Sequence, residues 1–169
     1  MFFINLWVLW FRSVRKIFTA EKVLVDDPDL GEDVTVISGG FVGCETALYL
    51  SKKGKKVTIV EALDKLLAVN GPFCHANSEM LERLIPFNNI AVITNAQAVE
   101  FKDHSLMLKN GQTVKADSVV LAVGYKEENN LYNKLQFEIS EIYLLGDAKN
   151  VANIMYGIWD TFEVACHID

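Results

Sequence analysis

The stretch VTVISGGFVGCETALYLSKKGKKVTIVE, residues 34–61, constrains the fold of this chain more than any other. Residues 34–37 and 57–60 are short apolar runs rich in valine and isoleucine, each the length of a buried strand. Between them stand Gly39, Gly40 and Gly43, then residues 44–53, where Ala47, Leu48 and Leu50 are available to pack. Gly54 closes that segment as a glycine after a helix often does. Strand, tight turn, helix and strand follow one another in under thirty residues. Two parallel strands cannot be joined by a hairpin, so a crossover helix is the economical solution. The stretch predicts the first βαβ unit of a parallel sheet.

The turn carries its own chemistry. A dinucleotide-binding turn places small residues at three positions. One makes the tight turn, one lets the backbone reach a pyrophosphate, and one lets helix and strand pack closely. Here Ser38, Gly40 and Gly43 occupy those positions, with Gly39, Phe41 and Val42 filling the gaps. A pyrophosphate would sit at the helix amino terminus, where N–H groups and the helix dipole favour an anion. Serine at the first position carries a steric cost if the turn needs positive φ, on the order of 1 kcal/mol. Glu61 ends the second strand, eighteen residues beyond Gly43. A carboxylate there accepts ribose hydroxyls and repels a 2′-phosphate. No arginine follows it closely, so the pattern favours NAD(H) over NADP(H) as the cofactor.

Further along, Asn77 or Ser78 is placed to cap a helix that reaches about Ile85 and stops at Pro86. Residues 90–94 read as a third parallel strand. Residues 97–115 change character into short strands, two of them joined by Asn110-Gly111, and predict an antiparallel meander. Residues 118–123 return to buried-strand character before Gly124. IYLLGD, residues 142–147, reads as one more buried strand ending at Gly146 and Asp147. Val151, Ile154, Ile158, Phe162 and Ala165 fall at helical spacing and predict a closing helix over about 150–167. The expected fold class is α/β: a Rossmann-like parallel sheet with an antiparallel meander crossover, plus a remnant of a second domain.

Of the 169 residues, 51% are hydrophobic and the formal net charge is −6, which supports a packed core and disfavours nucleic acid as a partner. Cys44, Cys74 and Cys166 are scattered and odd in number. They predict neither a disulfide framework nor a metal site and fit a reducing cytoplasm. Cys74-His75 has no second pair of ligands, and no metal is read there. Cys44 reads as packing; His104 and His167 carry no readable role. Residues 1–11 are nearly all apolar, and Arg12, Arg15 and Lys16 follow. Eleven residues span about 16 Å as a helix, too little to cross a bilayer. The charges follow the apolar run rather than precede it, against the order of a secretory signal. Residues 1–18 read instead as a segment that packs on the domain, a partner subunit or a membrane surface. DDPDLGED, residues 26–33, reads as a boundary.

GGFVGCETALYLSKKGKKVTIVE, ADSVVLAVGYK and YLLGDAKNVANIMYGIWDTFEVA together resemble the carboxy-terminal part of the 2-enoate reductase and 2,4-dienoyl-CoA reductase family of NADH:flavin oxidoreductases. The resemblance runs from about residue 19 to 165. It implies long family members, in which a β/α barrel with flavin mononucleotide and an iron–sulfur cluster precedes an FAD-binding domain interrupted by an NAD(P)H-binding domain. On that basis the turn at Gly40 and Gly43 is the NAD(P)H one, and Glu45 matches the family pattern. Val123, Gly124 and Tyr125 lead back to the FAD domain, although Glu127 stands where a proline is usual. Asp147, after Gly146, matches the aspartate that reaches the ribityl and pyrophosphate part of FAD; capping the next turn is the alternative. The glycine turn for the ADP half of FAD, the barrel and the cluster cysteines have no counterpart in the sequence, so its FAD site reads as incomplete. The expected organisation is an amino-terminal segment and linker over 1–30, an NAD(H)-binding domain over 31–125 and an FAD-domain remnant, strand plus helix, over 126–169.

Three function classes follow. The first is the NAD(P)H-binding part of a flavin-dependent oxidoreductase, inactive alone, with no catalytic residue of its own. The second is a non-catalytic dinucleotide-binding or partner-docking module. The third is another Rossmann enzyme such as a methyltransferase, which the meander and the Gly-Asp segment disfavour.

Overall fold

A computed structural model describes residues 16–68 and 75–168, which fall into two compact units, Met1–Val123 and Gly124–Asp169. The reading of the apolar residues 1–15, and Cys74, lie outside the described residues.

The first unit is built on five parallel strands: β1 (Ile17–Thr19), β2 (Asp33–Ile37), β3 (Lys56–Val60), β4 (Ala91–Ile93) and, late in the chain, β8 (Ser118–Leu121). Their spatial order is β1-β8-β2-β3-β4. Central strand β2 pairs in register with β3, Val34 to Val57 and Ile37 to Val60, and with β8 on its other side. Three helices cover one face: α1 (Ala20–Asp26), α2 (Phe41–Lys52) and α3 (His75–Phe87). Side chains alternate along a strand, so Val34 and Val36 of β2 go to the helical side. They join Ala47 and Leu50 of α2, Val23 of α1 and Leu81 and Ile85 of α3 in one buried cluster. The opposite face packs on the meander β5 (Ala98–Lys102), β6 (Ser105–Leu108) and β7 (Thr113–Lys115). There Val60 and Val119 meet Phe101, Leu106, Leu108 and Val114. The parallel sheet is therefore sandwiched between helices and a second sheet, which explains why its strands are apolar on both faces.

Within the span 1–30, read from sequence as an amino-terminal segment and linker, residues 17–26 form regular structure. β1 pairs parallel with β8, Ile17 to Val119, and α1 is capped by the Thr19 side chain accepting from Lys22 N–H. A three-residue strand running straight into a helix leaves no period to read. α3 begins at His75 rather than at a cap on Asn77 or Ser78, and Pro86 lies inside its last turn. A proline there forfeits one helical hydrogen bond but does not stop the chain. Asn110-Gly111 turns β6 into β7 as expected, with Gly111 at φ +85° and its N–H donating to Leu108 O. β5 turns into β6 through Asp103 and His104, at φ +49° and +59°.

The second unit contains α4 (Asn130–Leu135), a 3₁₀ turn (Gly146–Ala148) and α5 (Ile154–Ala165). The Asn153 side chain caps α5 by accepting from Tyr156 N–H at 3.3 Å. The buried strand expected over 142–147 does not form: residues 142–145 are half-buried or exposed and belong to no strand pairing among the described residues. A strand needs a neighbour for its backbone, and among described residues 124–168 there is no other strand. None of these residues is buried.

Candidate functional site

Ser38 follows β2 at φ +85°. The chain must reverse sharply from strand to helix, and a serine takes the left-handed conformation that the first small position of such a turn demands. Its N–H donates to Val60 O at 2.9 Å, which ties the turn to the end of β3. Gly39 comes next and is buried. A Cβ there would lie 2.3 Å from Leu66 Cδ2 and 3.3 Å from Glu61 Oε2. Gly43, one turn into α2, is tighter still: a Cβ would lie 1.9 Å from Ser38 O. That contact is the close packing of helix on strand expected of the third small position.

Gly40 behaves differently. Its φ of −70° and ψ of −175° suit any residue, and a Cβ there would meet nothing within 4 Å. The protein itself gives no reason for glycine at this position. Phe41 and Val42, half-buried, open α2 and pack on the helical-side core. The first N–H groups of a helix have no acceptor within it, so the open space lies over an anion-favouring helix end.

Glu61 is only 7% exposed. Its Oε2 accepts from Gly39 N–H at 2.5 Å and its Oε1 from Leu63 N–H at 2.8 Å. Leu67 N–H donates to Gly39 O at 2.8 Å, so residues 62–67 are laced to the glycine turn. Gly39 N–H is therefore taken by a carboxylate, a pairing that no motif signals. Cys44 lies below the turn, fully buried, with Sγ 3.4 Å from Gly39 O. Burial first, then the charges of Glu61 and Glu45, push its thiol up to about 12. It stays protonated at neutral pH and is a packing group, not a nucleophile.

Ser38, Gly39, Gly40, Phe41, Val42, Gly43 and Glu61 thus converge at the carboxyl ends of β2 and β3. The other three singled-out residues belong to the second unit. Gly124 opens it at φ +89° with nothing near its Cα face. Gly146 N–H donates to Asp160 Oδ2 at 3.2 Å, and Asp160 pairs with Lys149 at 2.7 Å. The bond from Lys149 is the main influence holding the Asp160 carboxyl below its usual range. Asp147 Oδ1 accepts from Ala152 N–H at 3.2 Å, so its carboxylate caps the following turn, the alternative role the sequence allowed. Sequence reasoning missed Asp160, an acidic residue on a helix with no distinguishing neighbour.

It also missed Asp117. Its Oδ2 accepts from Glu32 N–H at 2.9 Å and Asp33 N–H at 3.0 Å, and His104 Nδ1 lies 3.0 Å from Oδ1. The bonds from Asp33 and Glu32 lead in lowering its pKa to about 2. This carboxylate joins the meander to the amino-terminal end of β2, away from the glycine turn. Among the described residues no group of His, Cys, Asp or Glu is arranged to hold a metal ion, and no helix is long and apolar enough to cross a membrane.

The chain is 47% identical over 163 residues to the cinnamate reductase of Clostridium sporogenes, covering 95% of this chain and 24% of that protein. It is 34% identical to the NADH oxidase of Thermoanaerobacter brockii, covering 83% of this chain and 22% of that one. It spans about a quarter of the length of these relatives. Among solved structures, a 2-naphthoyl-CoA reductase complex superposes with a TM-score of 0.78 at 25% identity, over 90% of this chain and 23% of that one. These similarities agree with the resemblance to enoate reductases carried by the motifs, and with the parallel sheet, meander and glycine turn. The family model described as pyridine nucleotide-disulphide oxidoreductase matches residues 9–159, and the chain belongs to that family of oxidoreductases, which use FAD and a pyridine nucleotide.

Proposed function

We propose that this chain is the NAD(H)-binding part of a flavin-dependent, enoate-reductase-like oxidoreductase, and that it positions nicotinamide for hydride transfer to FAD. The observation that carries the reading is Gly40. Gly43 is demanded by the backbone oxygen of Ser38 and Gly39 is crowded by the Leu66 side chain, whereas Gly40 fronts open space at the start of α2. A missing side chain with no internal cause is what a closely approaching pyrophosphate requires. Amides of the first turn of α2 would meet that anion. Glu61, at the end of β3, would accept the adenosine ribose hydroxyls and disfavour a 2′-phosphate. The hydride chemistry is supplied by nicotinamide and flavin when bound. The part of the chain is to orient the nucleotide, since transfer needs reacting atoms about 3–3.5 Å apart.

The test is a titration of the purified chain with NADH and NADPH, beside a Gly40→Val variant. Binding of NADH that is tighter than NADPH and lost in the variant supports the reading. Equal binding to the variant removes its main support.

A second reading, a non-catalytic dinucleotide-binding or docking module, is favoured by the second unit. Residues 124–168 bury none of their own side chains, and Asp147 is occupied by Ala152 N–H. The described residues thus offer one carboxylate toward FAD and no glycine turn for its ADP half. Colour separates the two readings: a visible spectrum with and without added FAD shows a bound flavin in the first and none in the second. On either reading the isolated chain is expected to purify colourless, with negligible NADH oxidation by artificial acceptors. Copurified FAD with turnover at tens per second, ordinary for an enzyme, would contradict that.

A further inference from the structure

The turn that meets the nucleotide is strained at one residue and clamped at the next. Ser38 sits at φ +85°, where a Cβ crowds the backbone. Gly39, directly after it, is held from both sides: its N–H donates to Glu61 Oε2, and its carbonyl accepts from Leu67 N–H. The second oxygen of Glu61 takes Leu63 N–H. One buried carboxylate thus joins the turn to the segment that follows β3. A charge that is 7% exposed is tolerated only when hydrogen bonds replace its water. Here the protein's own backbone supplies them. A side chain serving only to receive ribose hydroxyls has no need to be bound at both oxygens before the ligand arrives.

We infer that Glu61 is a positioning residue: it clamps Gly39 and so holds the serine-strained turn in the shape that admits a dinucleotide. This rests on the reading that the turn binds one. Ser38 would otherwise relax toward negative φ and carry the start of α2 with it. The clamp also turns Gly39 N–H toward Glu61, so an anion is met by amides from Gly40 onward.

The clamp makes a prediction that a ribose acceptor does not. If Glu61 offsets the strain at Ser38, relieving the strain reduces the need for Glu61. Glu61→Gln leaves one acceptor oxygen for two N–H donors and is expected to weaken NADH binding about tenfold, the loss of one charge-assisted bond. Ser38→Gly on that background is expected to recover several-fold. The two substitutions form a double-mutant cycle, read both by NADH affinity and by urea unfolding. Hydrogen exchange of the Gly39 amide in the ligand-free full-length chain is the direct measure: protected in the wild type, and at least tenfold faster in Glu61→Gln. If Glu61→Gln does not fold, Glu61→Asp, which withdraws the carboxylate by one methylene, takes its place. A Gly39 amide that exchanges equally fast with and without Glu61 overturns the clamp. Strictly additive effects across the cycle overturn its link to Ser38. Should the wild type fail to bind NADH, the functional reading falls, and amide exchange together with the unfolding cycle still decides the clamp.

Discussion

Ser38→Gly is expected to stabilise the first unit. At φ +85° the serine Cβ is pressed against backbone, a conformation that costs an L-residue about 1–2 kcal/mol. Glycine takes it without that cost. Against the gain stands the looser unfolded chain, since glycine loses more freedom on folding, about 0.4–1 kcal/mol. The bonds from Ser38 N–H to Val60 O and from Gly39 N–H to Glu61 are made by backbone donors and survive the change. The net gain is therefore about 0.5–1 kcal/mol. Urea unfolding followed by circular dichroism suits the measurement. With a slope of about 2 kcal/mol/M, the midpoint should rise by about 0.3–0.5 M, and NADH should bind as well or better. A midpoint that falls, with the unfolding slope unchanged, would mean that the turn carries no strain at Ser38, and the reasoning would fail.

The other glycines of the turn should separate folding from binding. Gly43→Ala drives a Cβ to within 1.9 Å of Ser38 O and should cost at least the 1–3 kcal/mol typical of overpacking. Gly40→Val should unfold at nearly the wild-type urea concentration while losing NADH, so a strongly destabilised Gly40→Val would mean that the open space is not there. Asp117 has a folded pKa lowered to about 2, below its unfolded value. Its contribution is complete above about pH 4 and is lost as pH falls toward 2. Acid titration by circular dichroism should therefore show Asp117→Asn flatter than the wild type over that window, and identical pH dependence would remove Asp117 from the account. Cys44, with its thiol pushed up to about 12, should resist iodoacetamide at pH 8 in the folded chain, whereas the exposed Cys166 should react; peptide mass mapping reads both.

The parts legible in the sequence were those whose physics is local. Gly39, Gly40 and Gly43 between two β-branched runs announced strand, turn and helix, because a parallel crossover leaves few alternatives. Asn110-Gly111 announced its hairpin through the positive φ that glycine admits. Asp103-His104 makes the neighbouring turn with both residues at positive φ, but His104 does not advertise it. β1 is three residues long and sits between the basic stretch 12–16 and a helix, so neither its length nor its alternation gave it away. Residues 142–145 erred in the other direction. Their apolar character was read as a strand, yet strand formation depends on a partner that sequence order does not reveal. The carboxylate of Glu61 was legible as a group near the glycine turn. Its two bonds to Gly39 and Leu63 were not, because they depend on how residues 62–67 fold back over that turn.

The placement of β1 also bears on the order in which the first unit assembles. Ile17 pairs with Val119, so this edge closes only when almost the whole unit has been threaded between the two strands. Closing a loop on the order of 100 residues costs about 4 kcal/mol of chain entropy, and three residue pairs return little of it. The remaining return comes from Ala20 and Val23, which α1 buries beneath the sheet. β2, α2 and β3 close over far shorter distances and can form without waiting for either end. The glycine turn therefore belongs to the early, local part of folding, and the β1 edge to the last step, the first to reopen when the unit breathes.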